Sequence, residues 1–221
     1  MLGNDASPRV MGRSRRPSFR IGLDGVCLGE LIFRPLTKEL WPAFEALFGS
    51  NGACAGCWCM YWRLPKGDWS NARHKNKARF HRLVVKGPPP GLLAFDRDTA
   101  VGWVTLGPRE NYPALERSRF LKPVDDESVW SMPCFYIKSG HRGRGVMRAL
   151  VAAAADYAAK AGGRIIEAYP VDTEKRISAG SAYTGVASSF RRAGFKTVAR
   201  RASHRPIVRK NLVRQQSSKS Q

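Results

Sequence analysis

Hydrophobic and polar positions alternate along the chain with two periods, one near two residues and one near 3.6 residues. Short apolar and β-branched runs predict strands over 31–36, 91–95, 100–106, 129–137, 164–169, 195–200 and 206–213. Helical spacing predicts four helices. The first ends at residue 48, and the others cover about 71–86, 146–161 and about 183–193. The order β-α-α-β-β-β-α-β-α-β-β predicts an α/β (α+β) domain with a mixed sheet of about seven strands flanked by helices.

Glycine and proline mark the ends of several predicted elements. Either Thr37 caps the first helix, or that helix begins with Pro42 in its first position. The second helix ends at Gly87, which is followed by three prolines. Pro133 falls inside the fourth strand and has no N–H for the ladder, so we predict a bulge or an edge there.

The charge of this chain is unusual and lies mostly at its ends. The sequence has 221 residues, 43% of them hydrophobic, and a formal net charge of +21. Residues 1–20 hold five arginines and one aspartate, and residues 191–221 hold ten Lys or Arg and no acid. Such a surface attracts polyanions: coenzyme phosphates, nucleic acid or anionic lipid. We expect a disordered basic leader over 1–20, one folded domain over 21–213 and a flexible tail over 214–221.

The five cysteines do not form an obvious framework. Cys54, Cys57 and Cys59 lie together, whereas Cys27 and Cys134 stand alone. A chain with a real core has little need of disulfides, and no fourth zinc ligand has suitable spacing. The pattern favours reduced or structural thiols and no metal site.

The sequence predicts a soluble, cytoplasmic protein that does not enter a membrane. No apolar run reaches transmembrane length. The stretch 14–19 is faintly similar to a twin-arginine export signal. Asp24 and Glu30 follow it where an export signal would be apolar, which argues against export.

A loop rich in arginine and glycine follows the fourth strand. The segment Arg142-Gly-Arg-Gly145-Val-Met147, here called the glycine loop, opens the predicted helix 146–161. Unpaired N–H groups at a helix start bind phosphate, glycines let the backbone approach it, and arginines add charge. The loop lacks both the Gly-Lys-Ser/Thr of a Walker loop and G-x-G-x-x-G. It therefore predicts a site for a phosphorylated ligand of another kind.

In this context the glycine loop resembles the Q/R-x-x-G-x-G/A motif of the GNAT superfamily of N-acetyltransferases, with Met147 in place of the last Gly/Ala. The preceding hairpin and the ending Ala193-Gly-Phe-Lys196 fit the same family, and the resemblance covers about 30–213. The segments 57–63 and 167–172 are similar to an uncharacterised bacterial branch of it.

The resemblance implies a mostly antiparallel sheet that splays between strands 4 and 5, and direct transfer of an acetyl group from acetyl-CoA to an amine. It implies that acetyl-CoA contacts Phe135, Tyr136, Ile137, Arg142, Gly143, Arg144, Gly145, Val146 and Met147. The acceptor would be a small-molecule or peptide amine near the aromatic run 58–62 and the basic helix 71–86. The protein would be a monomer or a homodimer.

The family's usual catalytic residues are missing. Its tyrosine acid is replaced by Phe190, and a common asparagine seven residues earlier is Tyr183. Tyr183, on the predicted last helix, becomes the nearest candidate acid, and Glu127 and Glu167 are candidate bases. Structural roles stay open for each: a packed aromatic, a solvated loop acid and a paired strand acid. Cys134 is better interpreted as a small buried residue than as a nucleophile, because no histidine lies near it in sequence.

Two functions of other classes stay open. The basic ends and the aromatic residues also suit a nucleic-acid-binding module on the same fold, although nucleic acid is not the expected partner. Phe190, at the position of the usual acid, also suits a catalytically inert sensor that binds coenzyme A.

Overall fold

A computed structural model describes residues 31–212, apart from residues 175, 176 and 179. Its centre is a seven-stranded sheet in the order β1-β2-β3-β4-β5-β7-β6. The strands are β1 (Leu31–Pro35), β2 (Gly91–Asp96), β3 (Thr99–Pro108), β4 (Trp130–Ile137), β5 (Ile165–Ala168), β6 (Lys196–Arg200) and β7 (Pro206–Asn211). Only β4 and β5 pair in parallel. The predicted mixed, mostly antiparallel sheet of seven strands is confirmed.

The described helices are α1 (Trp41–Phe48), α2 (Lys66–Asn71), α3 (Asn76–Lys86), α4 (Pro113–Glu116), α5 (Val146–Lys160) and α6 (Ala187–Arg192). Helix α1 begins one residue before Pro42, and the Thr37 side chain makes no capping hydrogen bond. The helix predicted over 71–86 is wrong in its first turn, because a 3-10 turn at Arg73–Lys75 separates α2 from α3. No helix in the described ranges is long and apolar enough to cross a membrane.

Two hydrophobic cores cover the two faces of the sheet. On one face α5 packs its buried side chains, among them Leu150 and Ala154, against β3 and β4. Gly102 permits this close approach, because a Cβ there would lie only 3.0 Å from Leu150 Cδ1. On the other face, Phe44 and Phe80 from α1 and α3 pack with strand and loop residues. Both faces of the central strands are therefore buried.

The sheet opens beside β4 at the predicted bulge. The register of β3 and β4 shifts between Thr105 and Gly107, opposite Pro133. The parallel pairing of β4 with β5 covers only Trp130–Met132 and ends just before this proline. Among the described residues, the rest of β4 has no partner strand on that side, so the predicted splay between strands 4 and 5 is confirmed.

Candidate functional site

A cleft of about 1680 Å³ lies at the opening beside β4. It is lined by the end of β4, the glycine loop, the segment before α6 and part of the chain between α1 and α3. All nine residues implied for the coenzyme line this cleft, and Tyr183 lines it as well. The structure therefore brings the predicted coenzyme residues together with Tyr183, which is distant from them in sequence.

The glycine loop has the backbone shape that an anion site needs. Gly143 and Gly145 have φ angles of 74° and 79°, where a side chain would be strained. Helix α5 begins at Val146, and the Ala149 N–H bonds the Gly145 carbonyl at 3.1 Å. The N–H groups of residues 146–148 belong to the first turn and have no acceptor within the helix. They carry the positive end of a 15-residue helix dipole to the cleft.

Three arginines surround this helix start. Arg142 and Arg144 are exposed, and Arg148 is half-buried. Arg142 Nε donates to the Ile137 carbonyl at 2.9 Å and so ties the loop to the end of β4. Within the described ranges, Arg144 and Arg148 make no ion pair, which leaves their guanidinium groups available to an anion in the cleft.

Met147, which departs from the family motif, is accommodated by the absence of a side chain at Gly185. A Cβ placed on Gly185 would lie 2.3 Å from Met147 Cε and 2.7 Å from Phe190 Cε2. Gly185 therefore leaves room for the methionine side chain, which packs against the α5 core. The long side chain at 147 therefore packs beside Gly185 and Phe190.

Beyond Pro133, alternate residues of β4 direct their backbone groups into the opening. The Lys138 N–H bonds the Val101 carbonyl on β3, whereas the Phe135 N–H bonds the Tyr183 carbonyl across the gap at 2.6 Å. Because direction alternates along a strand, Phe135 and Ile137 both face the gap. The opening thus exposes an edge of backbone hydrogen-bonding groups on β4. The segment before α6 bridges this edge at Phe135, through the Tyr183 carbonyl.

Tyr183 lies in a turn and not on the last helix, so the helix predicted over 183–193 is wrong at its start. Gly185 has φ 85° and Val186 is extended, which delays the helix to Ala187. Tyr183 therefore shares no helix face with Phe190, which is fully buried in the α5 core. Burial, together with the neighbouring Tyr61, raises the pKa of Tyr183, so its hydroxyl is protonated at neutral pH.

Glu167 lies outside the cleft, in a buried ion-pair network. Its Oε1 accepts from Arg109 Nη1 at 2.8 Å and from the Tyr169 hydroxyl at 2.7 Å. Its Oε2 accepts from Arg209 Nε at 2.6 Å. The carboxylate is fully buried, and both oxygens are occupied. The structure thus gives this candidate base the surroundings of a paired strand acid.

Glu127 is also remote from the cleft. It is exposed in the loop before β4, and its backbone N–H donates to Asp125 Oδ1 at 3.2 Å. Neither Glu127 nor Glu167 is among the residues that line the cleft. The structure therefore brings Tyr183 to the coenzyme residues but neither candidate base.

Part of the cleft is an aromatic wall, formed by Tyr61, Trp62, Trp69 and Tyr183. Trp58 does not belong to it, since its ring packs into the core. Helix α3, predicted to cover the acceptor, does not line the cleft either. Sequence reasoning missed Trp69, and no periodic signal pointed to it, because Trp62 lies in a turn and Trp69 on the short helix α2.

Four cysteines also line the cleft: Cys54, Cys57, Cys59 and Cys134. Burial raises the pKa of Cys57 to about 11. The pKa of Cys134 is raised by the neighbouring Cys59 and by burial. Both thiols are therefore protonated at neutral pH and poor nucleophiles. In the described part of the chain no three His, Cys, Asp or Glu side chains form a group that would hold a metal ion.

Solved structures with a similar fold are GNAT proteins of low sequence identity. PaiA N-acetyltransferase from Thermoplasma acidophilum, in complex with coenzyme A, is 16% identical, with 82% of this chain and 99% of that chain covered and a TM-score of 0.49. A putative GNAT acetyltransferase from Desulfovibrio desulfuricans is also 16% identical, with 83% of this chain and 99% of that chain covered and a TM-score of 0.49. YncA from Salmonella typhimurium, a putative acetyltransferase with its cofactor acetyl-CoA, is 16% identical, with 83% of this chain and 94% of that chain covered and a TM-score of 0.44.

The sequence itself identifies the family. No curated protein matches the chain significantly. The model of the acetyltransferase (GNAT) family matches residues 50–180, a range that includes the glycine loop, β4 and the aromatic residues 61, 62 and 69. Because this match spans more than half of the 221 residues, the chain belongs to the acetyltransferase (GNAT) family.

Proposed function

We propose that the protein transfers an acetyl group from acetyl-CoA directly to an amine in the cleft beside β4. The observation that carries this proposal is the glycine loop. Its first-turn amides lie in the same cleft as the edge of β4 and the Tyr183 ring, together with Arg144 and Arg148, which make no ion pair among the described residues. The fold of a GNAT enzyme supplies the context in which that arrangement binds a coenzyme.

The pyrophosphate of acetyl-CoA binds at the start of α5. The N–H groups of residues 146–148 donate to its oxygens, and Gly143 and Gly145 keep the backbone free of side chains at the approach. Arg144 and Arg148 neutralise part of the charge. The interaction is mainly with the backbone, so we expect the glycines to matter more than any one arginine.

The pantetheine arm lies along the edge of β4. The backbone groups of Phe135 and Ile137 face the gap left by the early end of the β5 ladder, and an amide-containing chain fits that edge as a strand would. On this edge the Phe135 N–H donates to the Tyr183 carbonyl, and Arg142 Nε donates to the Ile137 carbonyl. Binding of the arm therefore shares or replaces these two hydrogen bonds.

The reaction needs few groups from the protein. The amine nitrogen attacks the acetyl carbonyl carbon, a C–N bond forms, and the C–S bond breaks to release the thiolate. Tyr183, protonated and lining the same cleft, donates its proton to that sulfur and is reprotonated by the proton that leaves the nitrogen. Glu127 and Glu167 take no part in this scheme, because both lie outside the cleft.

The test is coenzyme binding followed by turnover. Calorimetry with coenzyme A is expected to show one site per chain, and acetyl-CoA with a panel of amines is expected to release free thiol and form an amide. Binding of coenzyme A without acetyl transfer to any amine would support the inert sensor instead. Lack of coenzyme binding, with strongly salt-dependent binding of nucleic acid, would support the nucleic-acid module.

A further inference from the structure

The aromatic wall has the geometry of a site for a planar ligand. The Tyr61 ring is nearly perpendicular to those of Trp62, Trp69 and Tyr183, at centroid distances of 4.9, 5.2 and 6.2 Å. Tyr61 is 40% exposed, so its ring is accessible to a ligand in the cleft. Such walls gain energy from stacking and edge contacts with another aromatic ring.

Trp62 adds ring surface to this wall but no polar contact. The residue is only 7% exposed and lines the cleft, whereas its indole nitrogen is buried and out of reach of a ligand in the cleft. The wall therefore favours a planar ligand through its rings.

The charges beside the aromatic wall disfavour a cationic ligand. Aromatic faces alone would also attract a cation, so the neighbouring charges decide. No Asp or Glu of the described ranges lines the cleft, so no carboxylate there can balance the charge of a cation. Arg205, whose Nη1 donates to Thr184 Oγ1 at 2.8 Å, adds a further positive charge beside Tyr183. A protonated amine would lose its hydration here and be repelled.

The proton balance points the same way. A neutral amine loses one proton on forming the amide, and the leaving thiolate gains one, so a single hydroxyl such as that of Tyr183 completes the transfer. An alkylammonium ion must first lose an additional proton to a base. His141 is the one imidazole that lines the cleft among the described residues, and it belongs to the turn before the glycine loop.

We infer that the acceptor is a weakly basic aromatic amine, which is neutral at physiological pH and stacks on the aromatic wall. This inference rests on the proposed function and deepens it by naming the chemical class of the substrate.

The experiment compares amines of similar size and different basicity with the full-length protein. Aniline and 4-methoxyaniline are the weakly basic pair, and benzylamine and cyclohexylamine are the strongly basic pair. At pH 7 we expect kcat/KM for the anilines to exceed that for the alkylamines by about tenfold or more. The inference would be overturned if the alkylamines were acetylated as fast as the anilines or faster. It would also be overturned if none of the four amines were acetylated.

Two variant pairs separate stacking from charge. Tyr61→Leu is expected to raise KM for aniline by about tenfold, and Tyr61→Phe, which keeps the ring, is expected to raise it by less. Ala55 lines the cleft, is exposed and has φ 48°, a conformation that Asp and Asn tolerate. Ala55→Asp should shift the preference several-fold towards benzylamine, and Ala55→Asn should not.

Calorimetry with coenzyme A on the same samples distinguishes failure of the aromatic acceptor from failure of the proposed function. Intact coenzyme affinity with a preference for alkylamines overturns the aromatic acceptor and leaves the proposed function standing. If the wild-type protein does not bind coenzyme A, the proposed function is overturned, and this inference with it. Unchanged amine preference in Ala55→Asp also contradicts the role given to charge.

Discussion

At the residue scale, protonation of the leaving thiolate depends on one hydroxyl in the cleft. Tyr183→Phe keeps the ring, which lies 6.4 Å from Trp62, and removes only the donor. We expect kcat to fall by about 10²-fold or more, with coenzyme affinity nearly unchanged. Steady-state kinetics and calorimetry on the same preparation measure both quantities.

The matched control is Tyr157→Phe. Tyr157 lies on α5, packs against Trp130 at 6.2 Å and does not line the cleft. Its loss of a hydroxyl should leave kcat unchanged. If Tyr183→Phe is as fast as wild type, the thiolate leaves without this proton, which the low pKa of a thiol near 8.5 permits. Phe190→Tyr is no test of catalysis, because position 190 is fully buried away from the cleft.

At the scale of elements, the start of α5 carries coenzyme binding. Gly145→Val places a β-branched side chain at φ 79° and over the first-turn amides, so we expect coenzyme affinity to be lost. Arg144→Ala should weaken binding by about 1–3 kcal/mol, since the arginine adds charge to a site made of backbone. Isothermal titration with coenzyme A measures both.

Gly140→Ala is the control for this loop. Gly140 lies in the turn just before the glycine loop, and a Cβ there meets no atom within 4 Å. Its affinity should match wild type. Thermal unfolding of Gly145→Val shows whether the fold survives the strain. Normal coenzyme affinity in a folded Gly145→Val protein would contradict the proposed phosphate site.

Elements with strong local signals could be predicted from the sequence. Pro133 indicated the bulge in β4, and the alanine-rich run after Gly145 indicated α5 almost to its last residue. The start of α6 could not be predicted in this way. The helical spacing over 183–193 was compatible with a helix, but the positive φ of Gly185, packed against Met147, is a tertiary effect. Tyr183 therefore lies in a turn and shares no helix face with Phe190, although it remains the candidate acid.

Long-range pairing also lies beyond the sequence pattern. Glu167 in a strand is equally compatible with a base in a cleft and with a paired acid. Only the fold brings Arg109 and Arg209, far apart in sequence, to its two oxygens. The aromatic residues of the cleft likewise come from two distant segments, so Tyr61 and Tyr183 had no visible relation before the chain was folded.

At the scale of the whole molecule, we propose that the domain needs only residues 21–213. The predicted leader and tail lie outside the described residues, and the last backbone hydrogen bond of the described chain runs from Leu212 N to the Arg164 carbonyl at 2.8 Å. A chain trimmed to 21–213 should melt cooperatively within a few degrees of the full length and bind coenzyme A equally well. A loss of several degrees in the melting temperature would show that an end packs on the domain.

The network around Glu167 connects parts of the molecule that are distant in sequence. Through Arg109 it joins β5 to the turn after β3 and to the Leu121 carbonyl, and through Arg209 it joins β7. Glu167→Gln leaves two arginines that are themselves about nine-tenths buried without their full counter-charge. Because a broken buried pair leaves an uncompensated charge, we expect the free energy of unfolding to fall by about 3–5 kcal/mol.

Glu116→Gln provides the matched control, because Glu116 pairs with the same Arg109 at 2.9 Å but has a half-exposed side chain. Its loss should cost less than about 1 kcal/mol, as expected for a solvated ion pair. Denaturant unfolding measures both variants, and kcat of the folded fraction is measured beside it. A Glu167→Gln protein of wild-type stability and strongly reduced kcat would identify Glu167 as a participant in catalysis and contradict its structural role. We expect the opposite pattern, with reduced stability and nearly normal turnover per folded molecule, because no atom of this network reaches the cleft.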